Sequence, residues 1–404
     1  MLLKQNCFEK MESVRAIHTV GSLAEHAGGP SRTVTSLCSS IGQLGVVVDL
    51  VAGIDRSIDD RLVRPDVNSV SLHLVNVRRL GRLRYYPEFS QILIKLLNEK
   101  KVPALIHDHG IWLHTNVAAW WAARRQAVPY VLSPRGMLEP WALDFKARKK
   151  KLAWLFYQRR IVESAAAVVA TSEQECENIK RLFPKLPVAV IPNGVQMQSP
   201  VEMLSSKPQA DSGGTILFMS RIHPVKNLPG LLRAWCLLSN GVANGWRLVI
   251  AGPDEGGHAQ EILEQIHEYG LQDSVDLIGA VGEESKALVF QSADIFVLPS
   301  FTENFGVVVA EALAYGLPVI TTTATPWQEL SRRGCGWWVA PTPESLSGAL
   351  AEAMNSTFEQ RRAMGVIGRA YVQEEFSWDS IGAATIALYE WLLKRGESKP
   401  SFVY

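Results

Sequence analysis

The chain alternates twice between short apolar runs and longer helical patterns, and this alternation restricts the folds open to it. Six runs in the first half are typical of strands: VRAIHTV, VVVDLVA, ALIHDH, PYVLS, AAVVAT and VAVIP. The second half contributes GTILFMS, WRLVIAG, VDLIGA, DIFVLPS and PVITT. Apolar strands separated by helices form parallel sheets that helices cover on both faces. The pattern therefore predicts an α/β protein with two Rossmann-like domains.

A segment rich in Pro, Ser and Gly separates the two sets. It reads IPNGVQMQSPVEMLSSKPQADSGG and covers residues 191–214. Such a composition is typical of a domain boundary. We expect an N-terminal domain over residues 1–195 and a second domain over residues 196–378, joined near residues 193–212. The segment WDSIGAATIALYEWLLKR predicts an amphipathic helix in the remaining part, residues 379–404.

Composition narrows the class of protein. The 404 residues are 47% hydrophobic and 20% charged, and no apolar run approaches the length of a membrane span. The N-terminus lacks the apolar core of a signal peptide, and Met11 is a candidate alternative start because the first strand begins only near Val14. Five dispersed cysteines without CxxC spacing are typical of reduced thiols. We expect a cytoplasmic protein.

Charge is distributed unevenly along the chain. Residues 1–195 have a net charge of +10 and residues 196–404 a net charge of −9. The basic segment WALDFKARKKKLAWLFYQRR, residues 141–160, holds seven Lys and Arg and one Asp. It is either a helix that meets the anionic inner membrane surface or a solvated face whose tryptophans lie in the core. Nucleic acid is not expected as a partner, because no recognised binding motif accompanies the segment.

Ligands of open parallel sheets bind beyond the carboxyl ends of the strands. Gly28 and Gly29 follow the first predicted strand and precede Pro30, which suits the start of a helix. They either let the backbone approach an anion or form a simple turn. The segment is not the G-x-G-x-x-G fingerprint, which argues against a dinucleotide cofactor.

Two further strand ends in the first half carry polar side chains. His107 and His109 flank Asp108 in IHDHGIWLHTN, and a metal site would need a third ligand, for which His114 is poorly spaced. We therefore expect no metal. His109 is either a ligand contact or a satisfied core histidine, and Arg135 in SPRGMLEPW meets the same positional criterion.

In the second half, SRIHPVKNLPGLL follows the first strand. Arg221 and Lys226 have four residues between them, and the lysine precedes a helix. Two cations beside a helix N-terminus would suit a diphosphate, whereas as plain surface charges they would carry no function.

The stretch SFTENFGVVVAEALAYGLPVI places one glutamate in a loop and another in an apolar run. Gly306 starts a helix, so the amides around Phe305, Gly306 and Val307 can bind a phosphate or a sugar hydroxyl. Glu303 can accept hydrogen bonds from a ligand. Glu311, among Val and Ala, needs donors, because an unpartnered buried carboxylate costs several kcal/mol. Ribose hydroxyls would serve, and an internal salt bridge is the alternative.

Together these motifs resemble those of a known enzyme family. ENFGVVVAE matches the E-x(7)-E signature of retaining glycosyltransferases of family 4, which have the two-domain GT-B fold. SRIHPVKN resembles the family's R-x(4)-K phosphate clamp. The segments GGP, IHDHG, VAVIPNGV, LIGAVGEE and FSWDSI follow in the family's order, so the resemblance runs from about Val14 to about Leu393. DHGIW and SPRGMLEPWAL are similar to segments of bacterial enzymes that build surface polysaccharide.

The resemblance implies roles for residues near the strand ends of both domains. The two domains would face each other across a cleft, with the last helix packed back on the first domain. The catalytic set would be His109, Arg221, Lys226 and Glu303. The donor would be held by Gly28, Gly29, Gly279, Val281, Asn304, Phe305, Gly306, Val307 and Glu311, and the acceptor by Arg135.

The resemblance also implies a reaction. A hexose would pass with retention from a UDP- or GDP-linked donor to a glycan or polyprenyl-diphosphate-linked acceptor in the synthesis of O-antigen, capsule or exopolysaccharide. No cofactor and no metal are expected, and the departing phosphate would help deprotonate the acceptor. The basic first half fits an acceptor held at the inner face of the plasma membrane.

Other functions remain open at this stage. A sugar-nucleotide 2-epimerase shares the architecture but not the paired motifs. An inverting transferase would need a base in the first domain, for which Asp108 is a candidate. A non-catalytic nucleotide-sugar-binding protein would not need His109, Arg221, Lys226 and Glu303 together.

Overall fold

The chain folds into two compact units, each built on one parallel sheet. The computed structural model describes residues 14–25, 28–55, 61–80, 83–99, 102–139, 143, 147–198, 213–238, 241, 243, 245–394 and 398–404. One unit runs to Gly194 and also contains Trp378–Tyr404, while the other is Val195–Ser377. Most of the predicted connecting segment, residues 199–212, lies outside the described residues, as do Met11 and residues 141–142 and 144–146 of the basic segment.

The first unit is a sheet of seven parallel strands in the order β3-β2-β1-β6-β7-β8-β9. Its strands are β1 Arg15–Val20, β2 Val47–Ile54, β3 Val70–Asn76, β6 Ala104–His109, β7 Tyr130–Ser133, β8 Ala167–Ala170 and β9 Val188–Val190, and the short pair β4 Arg78–Leu80 and β5 Leu83–Tyr85 lies apart. The helices before Gly194 are α1 Gly29–Gln43, α2 Phe89–Glu99, α3 His114–Arg125, α4 Ala147–Ala153, a π-helical turn Trp154–Gln158, α5 Arg159–Glu163 and α6 Glu173–Leu182.

Apolar side chains cover both faces of this sheet, because successive strand residues point to opposite sides. On one face Ile17 and Ile106 pack with residues of α2, α3 and α6. On the other face Ala16 and Leu105 pack with residues of α1. Buried polar side chains at the carboxyl edge of the sheet include those of His109 and Ser133.

The second unit has a sheet of six parallel strands in the order β12-β11-β10-β13-β14-β15. The strands are β10 Gly214–Met219, β11 Trp246–Ala251, β12 Val275–Gly279, β13 Ile295–Leu298, β14 Val319–Thr322 and β15 Gly336–Val339. Around them lie a 3₁₀ turn Pro224–Lys226 and the helices α7 Leu228–Leu238, α8 His258–Glu268, α9 Glu283–Ser292, α10 Val307–Ala314, α11 Glu329–Arg333, α12 Pro343–Asn355 and α13 Phe358–Glu375.

The last helix, α14 Trp378–Leu392, belongs to the first unit. It lies so close to α1 that a Cβ on Gly382 would stand 2.4 Å from the hydroxyl oxygen of Ser40. The Ser40 hydroxyl donates to the carbonyl oxygen of Trp378 at 2.6 Å. Ile381, Leu388 and Tyr389 are buried against the sheet. The predicted return of this helix to the first domain is confirmed.

The predicted α/β fold with two Rossmann-like sheets is likewise confirmed. The sequence pattern missed β3 and β15, each of which lies at the edge of its sheet. Their residues are mostly only part-buried or exposed, so their apolar runs are interrupted. Within the described ranges, none of the helices is both long enough and apolar enough to cross a lipid bilayer.

Candidate functional site

The register of the first sheet brings polar residues together at its carboxyl edge. Val20 at the end of β1 pairs with His109 at the end of β6, and His109 pairs with Ser133 at the end of β7. All three residues are buried. A site assembled at this edge is where open parallel sheets bind their ligands.

Arg135 follows β7 and adopts a left-handed backbone conformation with φ of 52°. Non-glycine residues seldom adopt it, and such strain is concentrated at functional sites. Its guanidinium donates to Thr33 Oγ1 at 2.8 Å, to Asn193 Oδ1 at 3.1 Å and to a ring nitrogen of His109 at 3.2 Å. Burial lowers the pKa of Arg135 to about 10, so the group stays charged at neutral pH.

The charge of Arg135 is only partly balanced. Glu175, whose carboxylate accepts from the amide of Gly136, attracts this charge and opposes the fall in the pKa of Arg135, but among the described residues no Asp or Glu oxygen forms an ion pair with the guanidinium. The buried Nε of Arg135 has no hydrogen-bond partner there. A desolvated cation with an unused donor favours an anionic group nearby. The placement is consistent with the predicted acceptor contact, which stays a prediction.

Three histidines form a buried cluster at the same edge. His18, His107 and His109 offer ring nitrogens within 4.8 Å of one another, the geometry of a candidate metal site within the described part of the chain. Each of the six ring nitrogens, however, already has a hydrogen-bond partner. A metal ion needs free lone pairs on its ligands, and this cluster offers none without breaking those bonds.

Asp108 is turned away from the edge and into the protein. It is fully buried and accepts hydrogen bonds from Thr19 at 2.6 Å, from Tyr130 at 2.8 Å and from the amide of Asn116 at 3.0 Å. Burial raises the pKa of Asp108 to about 6, and those hydrogen bonds partly oppose the rise. This enclosed carboxyl is poorly placed to be the base of an inverting transferase.

Gly28 and Gly29 open α1, as the sequence predicts a helix there. Gly28 is the N-terminal cap, with φ of 88°, and both glycines are exposed. Among the residues that the structure describes, no side chain caps this helix. The first amides of an uncapped helix are available to an anion. Thr33 of α1 accepts a hydrogen bond from Arg135, so this helix start and the guanidinium are neighbours.

A cavity of about 20 Å³ lies between these groups and α14. It is lined by residues that include Ser133, Arg135, Thr171, Asn193 and Thr385. This volume suits one or two water molecules and excludes a sugar. A sugar bound by the first unit must therefore lie outside this cavity.

In the second unit, Lys226 and Glu303 meet. The 3₁₀ turn after β10 presents the ammonium of Lys226, which lies 2.5 Å from Glu303 Oε1. Ser300 donates to the same oxygen at 2.7 Å. The amide of Phe301 donates to the carbonyl of Val225 at 2.9 Å, which ties the two loops together.

Arg221 has a different partner from this pair. Its side chain is 57% exposed and forms an ion pair with Glu255. The ends of β10 and β11 approach each other closely at Gly252. A Cβ at this position would stand 1.7 Å from the carbonyl oxygen of Ser220, so only glycine fits there. The carbonyl of Gly279 accepts from the amide of Gly252 at 2.7 Å. This places the loop that contains Val281, the predicted base contact, next to the ends of β10 and β11.

The loop before α10 has the predicted conformation of a helix start. Gly306 is the cap, with φ of 76°, and α10 begins at Val307. The carbonyl of Phe305 accepts from the indole of Trp327 at 2.6 Å, which holds the loop in place. Asn304 lies in the same loop, between Glu303 and the cap. The first amides of α10 are therefore presented beside the Lys226–Glu303 pair.

Glu311 forms the internal salt bridge that the sequence leaves open as the alternative to a ribose contact. Its neighbours Ala310 and Ala312 are fully buried, but the carboxylate itself is 25% exposed and lies 2.5 Å from the ammonium of Lys286 on α9. A helix turns by about 100° per residue, so an apolar run does not place every member in the core. The sequence does not indicate Lys286 as the partner, because no spacing signal connects it to Glu311. The predicted contact with ribose stays a prediction.

Models of two glycosyltransferase families match the chain. A "Glycosyl transferase 4-like domain" matches residues 28–194, and "Glycosyl transferases group 1" matches residues 203–371. Two relatives are a D-inositol 3-phosphate glycosyltransferase of Streptomyces griseus and an alpha-maltose-1-phosphate synthase of Mycolicibacterium smegmatis. The first is 28% identical over 70% of this chain and 66% of its own length. The second is 27% identical over 73% of this chain and 81% of its own length. The chain thus spans slightly less than two thirds of the first relative.

Solved structures share the fold. The sucrose-phosphate synthase of Thermosynechococcus elongatus superposes with a TM-score of 0.71 and 21% identity, over 95% of this chain and 100% of that one. Anabaena HepE in complex with UDP-glucose gives a TM-score of 0.69 and 16% identity, over 93% of this chain and 99% of that one. At these identities the likeness establishes the fold alone.

Proposed function

We propose that the chain is a glycosyltransferase that moves a hexose, with retention, from a UDP- or GDP-linked donor. The two family models that match residues 28–194 and 203–371 support this proposal. The observation that carries the proposal is the pairing of Lys226 with Glu303 beside the N-terminus of α10. The ammonium and the helix amides supply positive charge for a diphosphate, and the carboxylate accepts bonds from sugar hydroxyls. Anabaena HepE, which has the same fold, is solved with UDP-glucose, and this supports a nucleotide-sugar donor.

The chemistry follows from which groups carry charge. As the bond between the anomeric carbon and the diphosphate breaks, negative charge develops on the phosphate, and Lys226 with the first amides of α10 stabilises it. Arg221 reaches the same phosphate once it leaves Glu255. The departing phosphate takes the acceptor's proton, and the acceptor oxygen attacks from the same face. Asp108, the candidate base for inversion, is enclosed, and this favours retention.

We propose that the acceptor carries a phosphate, which Arg135 recognises. The support is the guanidinium, which is held by Thr33 and Asn193, forms no ion pair within the described residues and has a spare donor at Nε. Relatives named for inositol 3-phosphate and maltose 1-phosphate are consistent with a phosphorylated partner.

An exposed helical face in the first unit supports a membrane-held form of that acceptor. Leu152, Leu155 and Phe156 are 59%, 76% and 71% exposed. They share this face with exposed basic residues, at the spacing of successive helical turns: Lys151, Arg159 and Arg160. We call these six residues the apolar–basic face. Trp154 packs on the core instead. An interfacial helix combines apolar anchors with cations, and each cation contributes about 1 kcal/mol near anionic lipid. A polyprenyl-diphosphate-linked glycan of surface polysaccharide synthesis has the required chemistry.

The donor proposal is tested by thermal shift and turnover with UDP-, GDP-, dTDP- and ADP-linked sugars. One nucleotide class should stabilise the wild type, and Lys226→Met should lose that stabilisation relative to its own ligand-free melting temperature. Transfer should then require a phosphorylated acceptor from membrane extract. Turnover of the donor without any acceptor would indicate an epimerase, and binding without turnover would indicate a non-catalytic protein.

The membrane proposal is tested by co-sedimentation with vesicles of phosphatidylcholine, with and without phosphatidylglycerol. The wild type should prefer the anionic vesicles, and the double variant Leu155→Ser, Phe156→Ser should lose at least tenfold in partition. Leu237→Ser is the matched control, since Leu237 is 59% exposed on the second unit. Equal binding to both vesicle types, or equal loss in the control, would favour a free sugar phosphate as the acceptor.

A further inference from the structure

We propose that Tyr389 and His18 are positioning residues for His109. They belong to a directed chain of hydrogen bonds that starts at Arg135 and holds the His109 ring in one tautomer. This inference rests on the proposed transferase function, in which His109 belongs to the catalytic set that the resemblance implies. His18 and Tyr389 lie in runs that predict a strand and a helix, and neither was a candidate site residue.

The chain has five links, all within the first unit. Arg135 Nη2 lies 3.2 Å from His109 Nδ1, and His109 Nε2 lies 2.9 Å from His18 Nδ1. His18 Nε2 lies 3.1 Å from the Tyr389 hydroxyl oxygen. That oxygen lies 2.6 Å from His107 Nδ1, and His107 Nε2 lies 2.7 Å from Ser133 Oγ.

The guanidinium fixes the direction of every link. Arg135 has only donors, so His109 Nδ1 must accept and the His109 proton must sit on Nε2. That proton points to His18 Nδ1, which must accept in turn, so His18 is protonated at Nε2. The Tyr389 hydroxyl accepts a hydrogen bond from His18 Nε2 and donates one to His107 Nδ1. His107 then donates from Nε2 to Ser133.

All three rings must be neutral for the chain to exist. A protonated imidazole donates from both nitrogens, so it would face a donor at one of its links. Burial, with a smaller contribution from the Arg135 charge, lowers the pKa of His18 to about 3. Burial also lowers the pKa of His107 and of His109 well below the usual value. The rings therefore stay neutral over the physiological range.

Tyr389 ties this chain to the last helix. Its ring is fully buried, and its hydroxyl is the link between the histidine of β1 and a histidine of β6. Without that hydroxyl, the Nε2 proton of His18 is buried without an acceptor, so the tautomer that Arg135 imposes through His109 becomes less favourable. His109 could flip its ring and release Arg135, which would move the groups proposed to meet donor and acceptor. A displacement of about 1 Å near the reacting atoms can cost 10²-fold in rate.

A merely structural role predicts something different. Buried polar groups are usually satisfied, and losing one hydroxyl would lower stability without selecting a tautomer. Tyr130→Phe is the matched control, because Tyr130 is a buried tyrosine of the same unit whose hydroxyl donates at 2.8 Å to Asp108 and not to the chain.

The experiment compares wild type, Tyr389→Phe and Tyr130→Phe with ¹⁵N-labelled histidine. In the wild type, three histidines should show neutral Nε2–H tautomers that persist at pH 5. Tyr389→Phe should change these signals, lower kcat at least tenfold and leave KM for the donor within about twofold. Tyr130→Phe should lose similar stability with unchanged histidine signals.

If Tyr389→Phe does not fold, the variants His18→Gln and His18→Leu test the same proposal. His18→Gln keeps an acceptor and a donor and should retain much of the kcat that His18→Leu loses. Histidine signals that do not change in Tyr389→Phe would overturn the chain, whether or not the protein transfers sugar. Changed signals with kcat as in the Tyr130→Phe control would overturn the positioning role. A wild type with the tautomers but no turnover would count against the transferase proposal alone.

Discussion

The ammonium of Lys226 lies 2.5 Å from Glu303 Oε1, and the two side chains are only 9% and 11% exposed. The cation proposed for the donor phosphate and the carboxylate proposed for the sugar thus hold each other in the absence of a donor. Each supplies the counter-charge that the other needs in a poorly solvated place. A bound diphosphate would share Lys226 with Glu303, so the pair organises the donor site in advance.

This pairing predicts strongly non-additive stability. Lys226→Met leaves a nearly buried carboxylate without its cation and should lower the free energy of unfolding by about 3 kcal/mol. The double variant Lys226→Met, Glu303→Gln removes both charges and should recover at least half of that loss. Urea unfolding followed by circular dichroism measures both. A double variant less stable than the single one would show that the pair does not hold the loops.

The ion pair between Glu311 and Lys286 separates two roles for the glutamate. If Glu311 binds ribose hydroxyls, Glu311→Ala should weaken donor binding about tenfold, as expected for lost hydrogen bonds to a charged group. Lys286→Ala breaks the same ion pair but leaves the carboxylate free for ribose. It should keep the donor Kd within about twofold of wild type, or tighten it. Calorimetric titration with the donor measures both, and equal weakening would reduce Glu311 to its ion pair.

Sequence patterns predicted the central strands and two of the four edge strands, β9 and β12, and missed the edge strands β3 and β15. Central strands such as β6 are buried on both faces and give continuous apolar runs, whereas β3 and β15 are partly solvated and give broken ones. The candidate site residues also differ in how far the sequence indicates them. His109 and Arg135 could be chosen as candidates because they lie at, or just after, the carboxyl end of a strand. His18 lies inside a strand, and only the register that pairs it with His107 reveals its partners.

For other candidate site residues, no local sequence pattern indicates the contact partner. Tyr389 comes from a helix 282 residues away from His107 along the chain, and its role depends on how that helix packs. Lys286 reaches Glu311 from a separate helix. Long-range contacts of this kind have no local periodicity, so pattern reasoning finds the element but not the partner.

Neutral burial of His18 predicts a pH-dependent stability. Its pKa is about 3 in the folded protein and near 6.5 in the unfolded chain, so below pH 6.5 only the unfolded chain gains the proton. Stability from this residue is therefore present above pH 6.5 and falls as the pH drops, by about 2 kcal/mol at pH 5.

The comparison with His18→Gln isolates this effect. Glutamine does not titrate, so the variant should lose about 2 kcal/mol less than wild type between pH 7 and pH 5. Urea unfolding of both proteins at the two pH values measures the difference, and other titrating groups are common to both proteins. Parallel losses in the two proteins would mean that His18 is not held neutral.

Gly252 should be the least replaceable glycine near the donor loops. Its φ is 150°, and a Cβ would stand 1.7 Å from the carbonyl oxygen of Ser220, the residue before Arg221. Gly252→Ala must push the ends of β10 and β11 apart, so we expect a loss of more than about 3 kcal/mol and a weaker donor affinity. Gly270→Ala is the matched control, because Gly270 has φ of 66° with nothing within 4 Å of the added Cβ. It should cost only about 1 kcal/mol, the strain of alanine in the left-handed region. Thermal and urea unfolding measure both variants, and equal losses would show that left-handed strain, rather than the close approach of the strands, sets the cost at Gly252.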